Sequence, residues 1–369
     1  MRIGLLLNNP SPHQVDLLNA FSEYPGVEAF VGYVYKSNPI RTWGAPKPRI
    51  SWSYIPARWG QVLAGGLRRW LRDQHVDIWV VASVYTNPIT HVVCWYLHMM
   101  GMQYVYMGEP PRPRTGLRRL IQKLLLSNVL RYASGIVATG KEAARRYGLV
   151  TKGRIPVISV PYYLDLKNIQ VRPMLDRTAD KGEIRFLVCA QLIYRKGLDV
   201  LIDACRQLPA DGWCLDIYGA GPLEEQLKKQ AKGVSDAIKF CGEVPFDERH
   251  RIFRRADVFV FPTRWDGWGM AIVEAMAHGL PVISTNQAMS AHDFVIDGKN
   301  GYIGPTETPD FFSGSMKKFL DGSANLGDYS IESKSALTNY IPEEGVRRLI
   351  EFIGPIVENR LPGAENIPT

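Results

Sequence analysis

Residues 263–284, TRWDGWGMAIVEAMAHGLPVIS, form a mostly apolar segment that nevertheless carries two acids, Asp266 and Glu274. The preceding run DVFVFPT (257–263) has the β-branched and aromatic composition of a strand. The run GMAIVEAMAHG (269–279) predicts a helix that ends at a glycine. The loop RWDGWG therefore follows the carboxyl end of a strand. Ligands of parallel sheets bind at that edge, so both carboxylates are candidate ligand-binding groups.

The predicted helix start is suited to an anion. Glycines there let the backbone approach a ligand closely, and the unpaired amides and dipole of a first turn favour phosphate. Asp266 and Glu274 can accept hydrogen bonds from the hydroxyls of a sugar or a ribose. A site for a phosphate with a hydroxyl-binding acid on either side would fit a nucleotide sugar. The alternative for these two residues is that Glu274 is a solvated helix residue and that Asp266 and Gly267 form an ordinary turn. The predicted anion-binding residues are Gly267, Trp268, Gly269 and Met270.

The rest of the C-terminal half alternates strand-like and helix-like runs. This alternation predicts a parallel sheet with helices on both faces. The predicted strands are 183–190, 213–219, 238–242, 257–263 and 281–285, and the predicted helices are 197–208, 222–231, 248–256 and 269–279.

The N-terminal half repeats this pattern less clearly. Its predicted strands are 2–8, 28–35, 77–85, 102–108 and 135–140, with a helix from about Gln14 after the first. We therefore predict an α/β protein with two doubly wound, Rossmann-like domains that face each other across a cleft. The predicted divisions are a first domain over 1–165, a linker over 166–182, a second domain over 183–345, and a closing helix and tail over 346–369 with a break at Pro355.

Charge is unevenly distributed along the 369 residues, which carry a net charge of +8. Residues 1–165 hold 20 Lys and Arg against 8 Asp and Glu, while the remainder holds 24 against 28. A basic first half indicates an anionic partner, either a membrane surface, a nucleic acid or an acidic substrate. Nucleic acid is the weakest of the three because no recognisable reading motif is present.

Cysteine and hydropathy patterns indicate a reducing compartment. The five cysteines form no CxxC pair and are odd in number, so we expect free thiols and neither a disulfide set nor a metal site. Apolar runs stop well short of the roughly 20 residues that a membrane-spanning helix needs, and MRIGLLLNNP lacks the features of a signal peptide. We expect a cytoplasmic protein.

The motifs of the second half resemble those of retaining GT-B glycosyltransferases, specifically glycosyltransferase family 4. FPTRWDGWGMAIVEAMAHGLPVIST is similar to the family's pattern of an acid, seven residues, a Glu and AMAxGxPVI. CAQLIYRKGLDVLIDA (189–204), IYGAGPLEEQLK and DFVIDGKNGYI (293–303) are similar to further family segments in the expected order. The resemblance is strong over about 165–305 and moderate over 1–165.

The resemblance implies roles for individual residues. Glu274 would bind the ribose hydroxyls of a nucleotide-sugar donor, and Asp266 the hydroxyls of the transferred sugar. Lys196 would neutralise the departing diphosphate, which stabilises developing charge electrostatically. The sugar would be transferred with retention by front-face attack, without an enzyme nucleophile, a metal or another cofactor. Gly219, in the GAGP loop, would lie near the nucleotide.

Three departures from the family pattern matter. Asp266 stands where the family usually has Glu, which shortens the acid by one methylene. Ala190 and Gln191 replace the family's Gly-Arg, and we hypothesise that Arg195 replaces the missing phosphate-binding Arg. Gly108 stands where relatives often carry a catalytic-site His before Glu-Pro.

The acceptor side is defined less well by its sequence. Glu109 is a candidate acceptor-side carboxylate or base, and the alternative is a loop acid that pairs with Arg112 or Arg114. His13, after the first strand, is a candidate on the same side, with a structural or solvated histidine as the alternative.

The segment TGLRRLIQKLLLSNVLRY (115–132) predicts a basic amphipathic helix. Such a helix can bind an anionic membrane surface, which would suit a lipid-linked acceptor and a peripheral position on the inner face. The commoner alternative is that the apolar stripe packs against the core. The stripe consists of Leu117, Leu120, Ile121, Leu124 and Leu125.

The function that these features favour is sugar transfer from a nucleotide sugar to a glycan or lipid-linked acceptor in polysaccharide or glycoconjugate assembly. Two alternatives stay open. One is a nucleotide-sugar epimerase of the same architecture, and the other is a non-catalytic basic binding protein on this scaffold. The nucleotide, the sugar, the acceptor and the oligomeric state are not indicated.

Overall fold

The structure is a computed structural model that covers most of the chain. The side chains of Pro12 and His13 are outside the description, as is almost all of the predicted linker. The described residues are 1–36, 47–166, 169, 182–245 and 248–359.

Two compact units share the chain. Unit 1 comprises Met1–Asp165 together with Tyr340–Thr369, and unit 2 comprises Leu166–Asn339. The closing helix therefore belongs to unit 1. Unit 2 ends at Asn339 and unit 1 resumes at Tyr340, whereas the sequence predicted the end of the second domain at 345. Each unit is built on one fully parallel sheet with its own core.

Unit 1 has a sheet with the order β3-β2-β1-β4-β5-β6-β7 among the described residues. Its strands are β1 Arg2–Leu7, β2 Glu28–Tyr33, β3 Ser51–Tyr54, β4 Ile78–Ala82, β5 Tyr104–Gly108, β6 Gly135–Ala138 and β7 Val157–Ser159. Its helices are α1 Pro12–Phe21, α2 Trp59–Leu63, α3 Gly66–Asp73, α4 Pro88–Met99, α5 Gly116–Leu130, α6 Lys141–Thr151 and α14 Pro342–Glu358.

Unit 2 repeats the winding with the order β10-β9-β8-β11-β12-β13. Its strands are β8 Ile184–Cys189, β9 Trp213–Tyr218, β10 Ile238–Gly242, β11 Val258–Phe261, β12 Val282–Thr285 and β13 Gly301–Gly304. Its helices are α7 Leu198–Cys205, α8 Glu224–Lys232, α9 Arg249–Arg255, α10 Met270–Ala277, α11 Ala291–Phe294, α12 Pro309–Leu320 and α13 Leu326–Ser335, with a 3-10 turn at Tyr194–Lys196 before α7.

In both units the strand order reverses beside the first strand, because the first crossovers move to one side and the later ones to the other. Right-handed crossovers then place the early and late helices on opposite faces of each sheet. The reversal lies between β1 and β4 in unit 1 and between β8 and β11 in unit 2. Ligands of such sheets bind beyond the carboxyl ends of the strands at this point.

The predicted α/β alternation is confirmed, with boundaries that shift by a few residues. Three strands were missed: β3, β7 and β13. Each is four residues or fewer, and a run that short has no periodicity from which a strand can be recognised. Neighbouring strands in the sheet supply the hydrogen bonds that make them strands.

The predicted break at Pro355 is wrong. Helix α14 runs through it to Glu358, since Pro355 lies only three residues before the helix end. There the missing amide removes one late hydrogen bond and leaves the rest of the helix intact.

Helix α14 is held to unit 1 by close packing. It contacts α1, and its Phe352 ring lies so near Gly135 that a Cβ there would be 2.7 Å from Cζ of Phe352. Gly345 approaches Tyr163 equally closely, because a Cβ on Gly345 would lie 2.3 Å from its Cε2. Tyr163 in turn stacks on Tyr340 with ring centroids 4.9 Å apart.

This packing gives a matched pair of substitutions on one helix. Gly345→Ala should lower the free energy of unfolding by about 1–3 kcal/mol, because the added methyl overpacks against Tyr163. Gly354→Ala, where a Cβ would meet nothing within 4 Å, should raise it by up to about 1 kcal/mol through helix propensity. Urea denaturation measures both. Equal effects of the two substitutions would contradict the packing of α14 on Tyr163.

Candidate functional site

The predicted site residues of unit 2 follow two neighbouring strands. Strand β8 ends at Cys189 and β11 ends at Phe261, and these strands pair directly at the reversal of strand order. The loops that follow them hold the predicted acid and both predicted cations. Because both loops leave the same edge of the sheet, residues about 70 positions apart in the chain come together.

Backbone contacts fasten these two loops to each other. The amide of Arg264 donates to the carbonyl of Arg195 at 2.8 Å, and Thr263 Oγ1 donates to the same carbonyl at 3.1 Å. Gly197 has a φ of +67°, and a Cβ there would lie 2.1 Å from the carbonyl oxygen of Pro262. Only glycine fits this crossing, which explains the glycine of the Lys-Gly pair.

Asp266 is the centre of the charged cluster. Its Oδ2 accepts hydrogen bonds from Lys196 Nζ at 2.6 Å and from Arg195 Nη1 at 3.2 Å. Its Oδ1 accepts from the amide of Trp268 at 3.3 Å. Burial alone would raise the pKa of Asp266, but attraction to Lys196 and Arg195 outweighs it and the pKa is lowered. Asp266 is therefore ionised at neutral pH.

The two cations differ in burial. Lys196 is buried, with 9% of its surface exposed, and its Nζ lies 4.7 Å from the centroid of the Phe261 ring. Arg195 is half-buried, and its Nη1 also donates to the carbonyl of Trp265 at 2.7 Å. With one carboxylate shared between two cations, the cluster keeps a net positive charge that can attract an anion.

Glu274 lies in the second turn of α10 and is 6% exposed. Arg249 Nη1 donates to its Oε1 at 3.2 Å, and Arg249 Nη2 lies 2.7 Å from its Oε2. That second contact lacks hydrogen-bond geometry, so Oε2 accepts no hydrogen bond from the described residues. Burial raises the pKa of Glu274, and the charge of Arg249 offsets part of this.

Arg249 was not predicted from the sequence. It begins α9, and its Nη2 also donates to Cys189 Sγ at 3.3 Å, so one guanidinium joins the end of β8 to α10. Burial alone would lower the pKa of Arg249, but the negative charge of Glu274 outweighs it, and the pKa is raised. A lone arginine at a helix start resembles any surface cation in the sequence, and no signal there distinguishes it.

The residues that lead into α10, Gly267, Trp268 and Gly269, are all buried. Gly269 has a φ of +95°, and its carbonyl accepts from Ser290 Oγ at 3.0 Å. Trp268 is 2% exposed and packs edge-on against Phe294. Its predicted part in anion binding is therefore limited to its amide, which already donates to Asp266. Met270 is half-buried at the first helical position.

The GAGP loop packs against the loop after β8. A Cβ on Gly219, whose φ is +138°, would lie 1.9 Å from the carbonyl oxygen of Ala190, and one on Gly221 would lie 2.5 Å from that of Leu192. The conformation thus explains both glycines without a ligand. Gln191, between these contacts, is exposed.

Arg264 is a second residue that the sequence did not single out. Its guanidinium pairs with both oxygens of Asp199 at 2.8 and 2.7 Å, bonds Glu307, and lies 3.9 Å from the Tyr194 ring centroid. It fixes the 3-10 turn that carries Arg195 and Lys196. Its only sequence signal is its place directly after a predicted strand end.

The predicted residues of unit 1 lie at its own sheet edge. Glu109, directly after β5, is exposed, and its Oε1 accepts from Tyr162 Oη at 3.4 Å. Tyr147 Oη donates to its carbonyl at 2.8 Å. Burial, and then the charge of Glu109, raises the pKa of Tyr162 well above its usual value. His13 belongs to α1, and its side chain lies outside the described residues.

The chain is similar in sequence to known glycosyltransferases. Residues 176–340 match the family model of Glycosyl transferases group 1. The amylovoran biosynthesis glycosyltransferase AmsK of Erwinia amylovora is 30% identical over 188 residues, which are 48% of this chain and 46% of AmsK. The lipopolysaccharide core biosynthesis mannosyltransferase LpsB of Rhizobium meliloti is 29% identical over 57% of this chain and 66% of LpsB. The chain therefore spans less than two thirds of these relatives.

Similarity in fold extends over nearly the whole chain. Alr3699/HepE of Anabaena, solved in complex with UDP, superposes with a TM-score of 0.76 at 16% identity over 96% of this chain and all of that one. Sucrose-phosphate synthase of Thermosynechococcus elongatus gives a TM-score of 0.73 at 14% identity over 97% and 100%. The predicted fold, two doubly wound α/β units of the GT-B type, is confirmed. Unit 2 is thus similar in sequence to Glycosyl transferases group 1, and the chain is similar in fold to solved glycosyltransferases.

The buried pair of Arg249 and Glu274 gives a pH-dependent stability prediction. Arg249→Met leaves Glu274 without its cation, which should cost about 3–5 kcal/mol at neutral pH. The loss should be small below pH 4.5, the ordinary pKa of Glu274, where the carboxyl is neutral in both states. It should grow as the pH rises above the folded pKa of Glu274 in the parent protein, because the parent then ionises this carboxyl beside Arg249 whereas the variant must keep it protonated or ionise it without a cation.

Urea denaturation at several pH values tests this dependence. Arg206→Met is the matched control, since its pair with Asp203 is about half exposed on both sides. That variant should lose less than about 1 kcal/mol, with no comparable pH trend. A loss in Arg249→Met that is equal at all pH values would contradict the proposed linkage.

Proposed function

We propose that this protein is a retaining glycosyltransferase of family 4. It would move a hexose from a nucleotide-sugar donor to a glycan or lipid-linked acceptor in bacterial-type polysaccharide or glycoconjugate assembly. Unit 2 would hold the donor, and unit 1 would supply the acceptor side. The sequence similarity to biosynthetic glycosyltransferases and the fold similarity to a UDP complex support this proposal.

The observation that carries the proposal is the buried carboxylate of Glu274 beside the start of α10. Its Oε2 is enclosed, and the described residues offer it an ion pair but no hydrogen bond. A buried acceptor in this state gains free energy from a hydroxyl donor. A ribose supplies hydroxyl groups of this kind, so Glu274 is proposed to bind the nucleoside end of the donor.

The diphosphate would lie between Glu274 and Asp266, over the amides of Gly267 to Met270. The start of an eight-residue helix and the positive cluster of Lys196 and Arg195 both favour an anion there. As the bond from sugar to phosphate breaks, Lys196 would stabilise the charge that develops on the leaving diphosphate. These groups would serve in place of a metal, and no cofactor is part of the proposal.

Asp266 is proposed to bind hydroxyls of the transferred sugar. Its Oδ2 is already shared by Lys196 and Arg195, which places it beside the same cations that would hold the phosphate. Arg195 is the candidate replacement for the absent phosphate-binding arginine. Glu109 and His13 stay candidates for the acceptor side.

Two matched substitutions separate the proposed roles of the acids. Glu274→Gln should weaken binding of both the nucleoside diphosphate and the nucleotide sugar by about 10-fold or more, because a hydrogen bond to a charged acceptor is worth about 1.5–3 kcal/mol. Asp266→Asn should leave nucleoside diphosphate binding unchanged or tighter, because it frees Lys196 and Arg195, while it abolishes most sugar transfer.

Thermal-shift titration with a panel of nucleoside diphosphates and nucleotide sugars measures this difference, since a ligand that binds only the folded state raises the melting temperature. Glu225→Gln, whose side chain is 91% exposed in unit 2, is the control and should bind as the parent protein does. Undiminished donor binding by Glu274→Gln would remove the basis of the proposed site.

The reaction itself is tested with the donor that binds in that screen. We expect release of the nucleoside diphosphate only when an acceptor is present, and NMR should show a product with the anomeric configuration of the donor. Release without an acceptor together with an epimerised sugar would instead indicate the epimerase. Tight donor binding with no turnover across an acceptor panel would indicate a binding protein.

A further inference from the structure

Helix α5 exposes a row of large apolar side chains. Leu117, Leu120, Ile121 and Leu124 are 71%, 53%, 47% and 62% exposed. Their spacing of three and four residues puts them on one side of the helix, and they span about 10 Å at 1.5 Å per residue. We call this row the apolar stripe. The stripe predicted from the sequence also contained Leu125, which is half-buried. The alternative that the stripe packs against the core does not hold for the other four residues.

The core uses a different face of the same helix. Leu126, Val129 and Leu130 are buried in the core of unit 1, and Leu125 is half-buried between the two faces. Helix α5 thus contributes to the core of unit 1 through its C-terminal half. The exposed residues are not required for it, because truncating them removes no core contact. A contiguous exposed apolar row on a folded protein marks an interaction surface.

Charge along this part of the chain has one sign. Residues 110–141 contain seven basic residues and no acidic residue. Arg118, Arg119 and Lys123 lie within the stripe's own turns and are exposed. We call the seven basic residues of 110–141 the basic segment. Its members are Arg112, Arg114, Arg118, Arg119, Lys123, Arg131 and Lys141.

The neighbouring helix extends the surface. Helix α4 packs against α5, and both follow crossovers in the same direction, which places them on the same face of the sheet. Trp95 and Met99, one turn apart on α4, are 53% and 59% exposed. His98 of α4 stacks on Tyr132 directly after α5, with ring centroids 3.4 Å apart. Tryptophan and basic side chains around leucines are typical of helices that lie at a lipid interface.

We infer that the apolar stripe and the basic segment together bind the surface of an anionic lipid bilayer. The leucines would enter the boundary between headgroups and acyl chains, and the arginines would contact anionic headgroups. None of the described helices meets the length and hydropathy that crossing a bilayer requires. This inference stands apart from the proposed transferase reaction, because it concerns a surface and not the donor site.

Charge favours lipid over a second copy of this chain. Two copies that meet through the apolar stripe would bring two basic segments together, and like charges at close range are destabilising. An anionic bilayer satisfies the leucines and the arginines at once. The stripe begins eight residues after Glu109 in the chain, and both belong to unit 1.

Vesicle co-sedimentation of the full chain tests the inference. The probes are phosphatidylcholine vesicles and mixed phosphatidylcholine–phosphatidylglycerol vesicles. We expect binding to the mixed vesicles that weakens with salt. Arg118→Glu with Arg119→Glu should weaken it by at least about 25-fold, since each cation near an anionic surface contributes about fivefold. Leu120→Ser with Leu124→Ser should weaken it by at least about tenfold.

Matched controls lie on exposed positions of other helices. Ile331→Ser, at 64% exposure on α13, and Lys317→Glu, exposed on α12, both in unit 2, should bind as the parent does. Unchanged melting temperatures show that each variant is folded. Equal recovery with neutral and anionic vesicles, or unchanged binding by both stripe variants, would overturn the inference. The inference would also be overturned if the parent protein bound no vesicles and formed a dimer that Leu120→Ser with Leu124→Ser abolishes. Donor-binding titrations of the same variants should match the parent, which separates this result from failure of the proposed function.

Discussion

The ion pair between Lys196 and Asp266 holds unit 2's candidate site together. Its 2.6 Å contact joins the loop after β8 to the loop after β11, and its cost in burial is offset only because both partners are charged and close. The backbone bonds to Arg195, the crossing at Gly197 and the brace of Arg264 all act on these same two loops. If the pair were absent, both cations would keep their charge, and the backbone bond between Arg264 and Arg195 would still join the two loops.

A second buried pair sets the other end of the site. Arg249 and Glu274 form a neutral pair inside unit 2, but the pair is not fully satisfied, because Oε2 of Glu274 has an ion-pair contact without a hydrogen bond among the described residues. Structural pairs usually satisfy every buried acceptor. The two pairs therefore differ. The cluster of Asp266, Lys196 and Arg195 has a net positive charge, and Oε2 of Glu274 can still accept a hydrogen bond. A ligand with phosphates and hydroxyls complements both.

Unit 1 has the same winding and a different surface. Its sheet edge carries Glu109 with the buried hydroxyls of Tyr147 and Tyr162, and its outer helices carry the apolar stripe and the basic segment. The excess of positive charge in residues 1–165 is thus concentrated partly on helices that also expose leucine. Neither the charge nor the leucines are used by the core, which relies on the opposite side of α5.

The sequence by itself determined the alternation of strands and helices, the loop between β11 and α10, and the two acids with the lysine that the proposed site uses. These features are local, because periodicity, glycine positions and motif spacing all act within a few turns of chain. Tertiary structure alone decided four further points: the pairing of Lys196 with Asp266, the partnership of Arg249 with Glu274, the strands β3, β7 and β13, and the exposure of the stripe on α5. Each of these depends on which residues distant in the chain become neighbours. An arginine at a helix start or a leucine row has the same local pattern whether it is buried or exposed, because burial is set by packing partners that the local sequence does not specify.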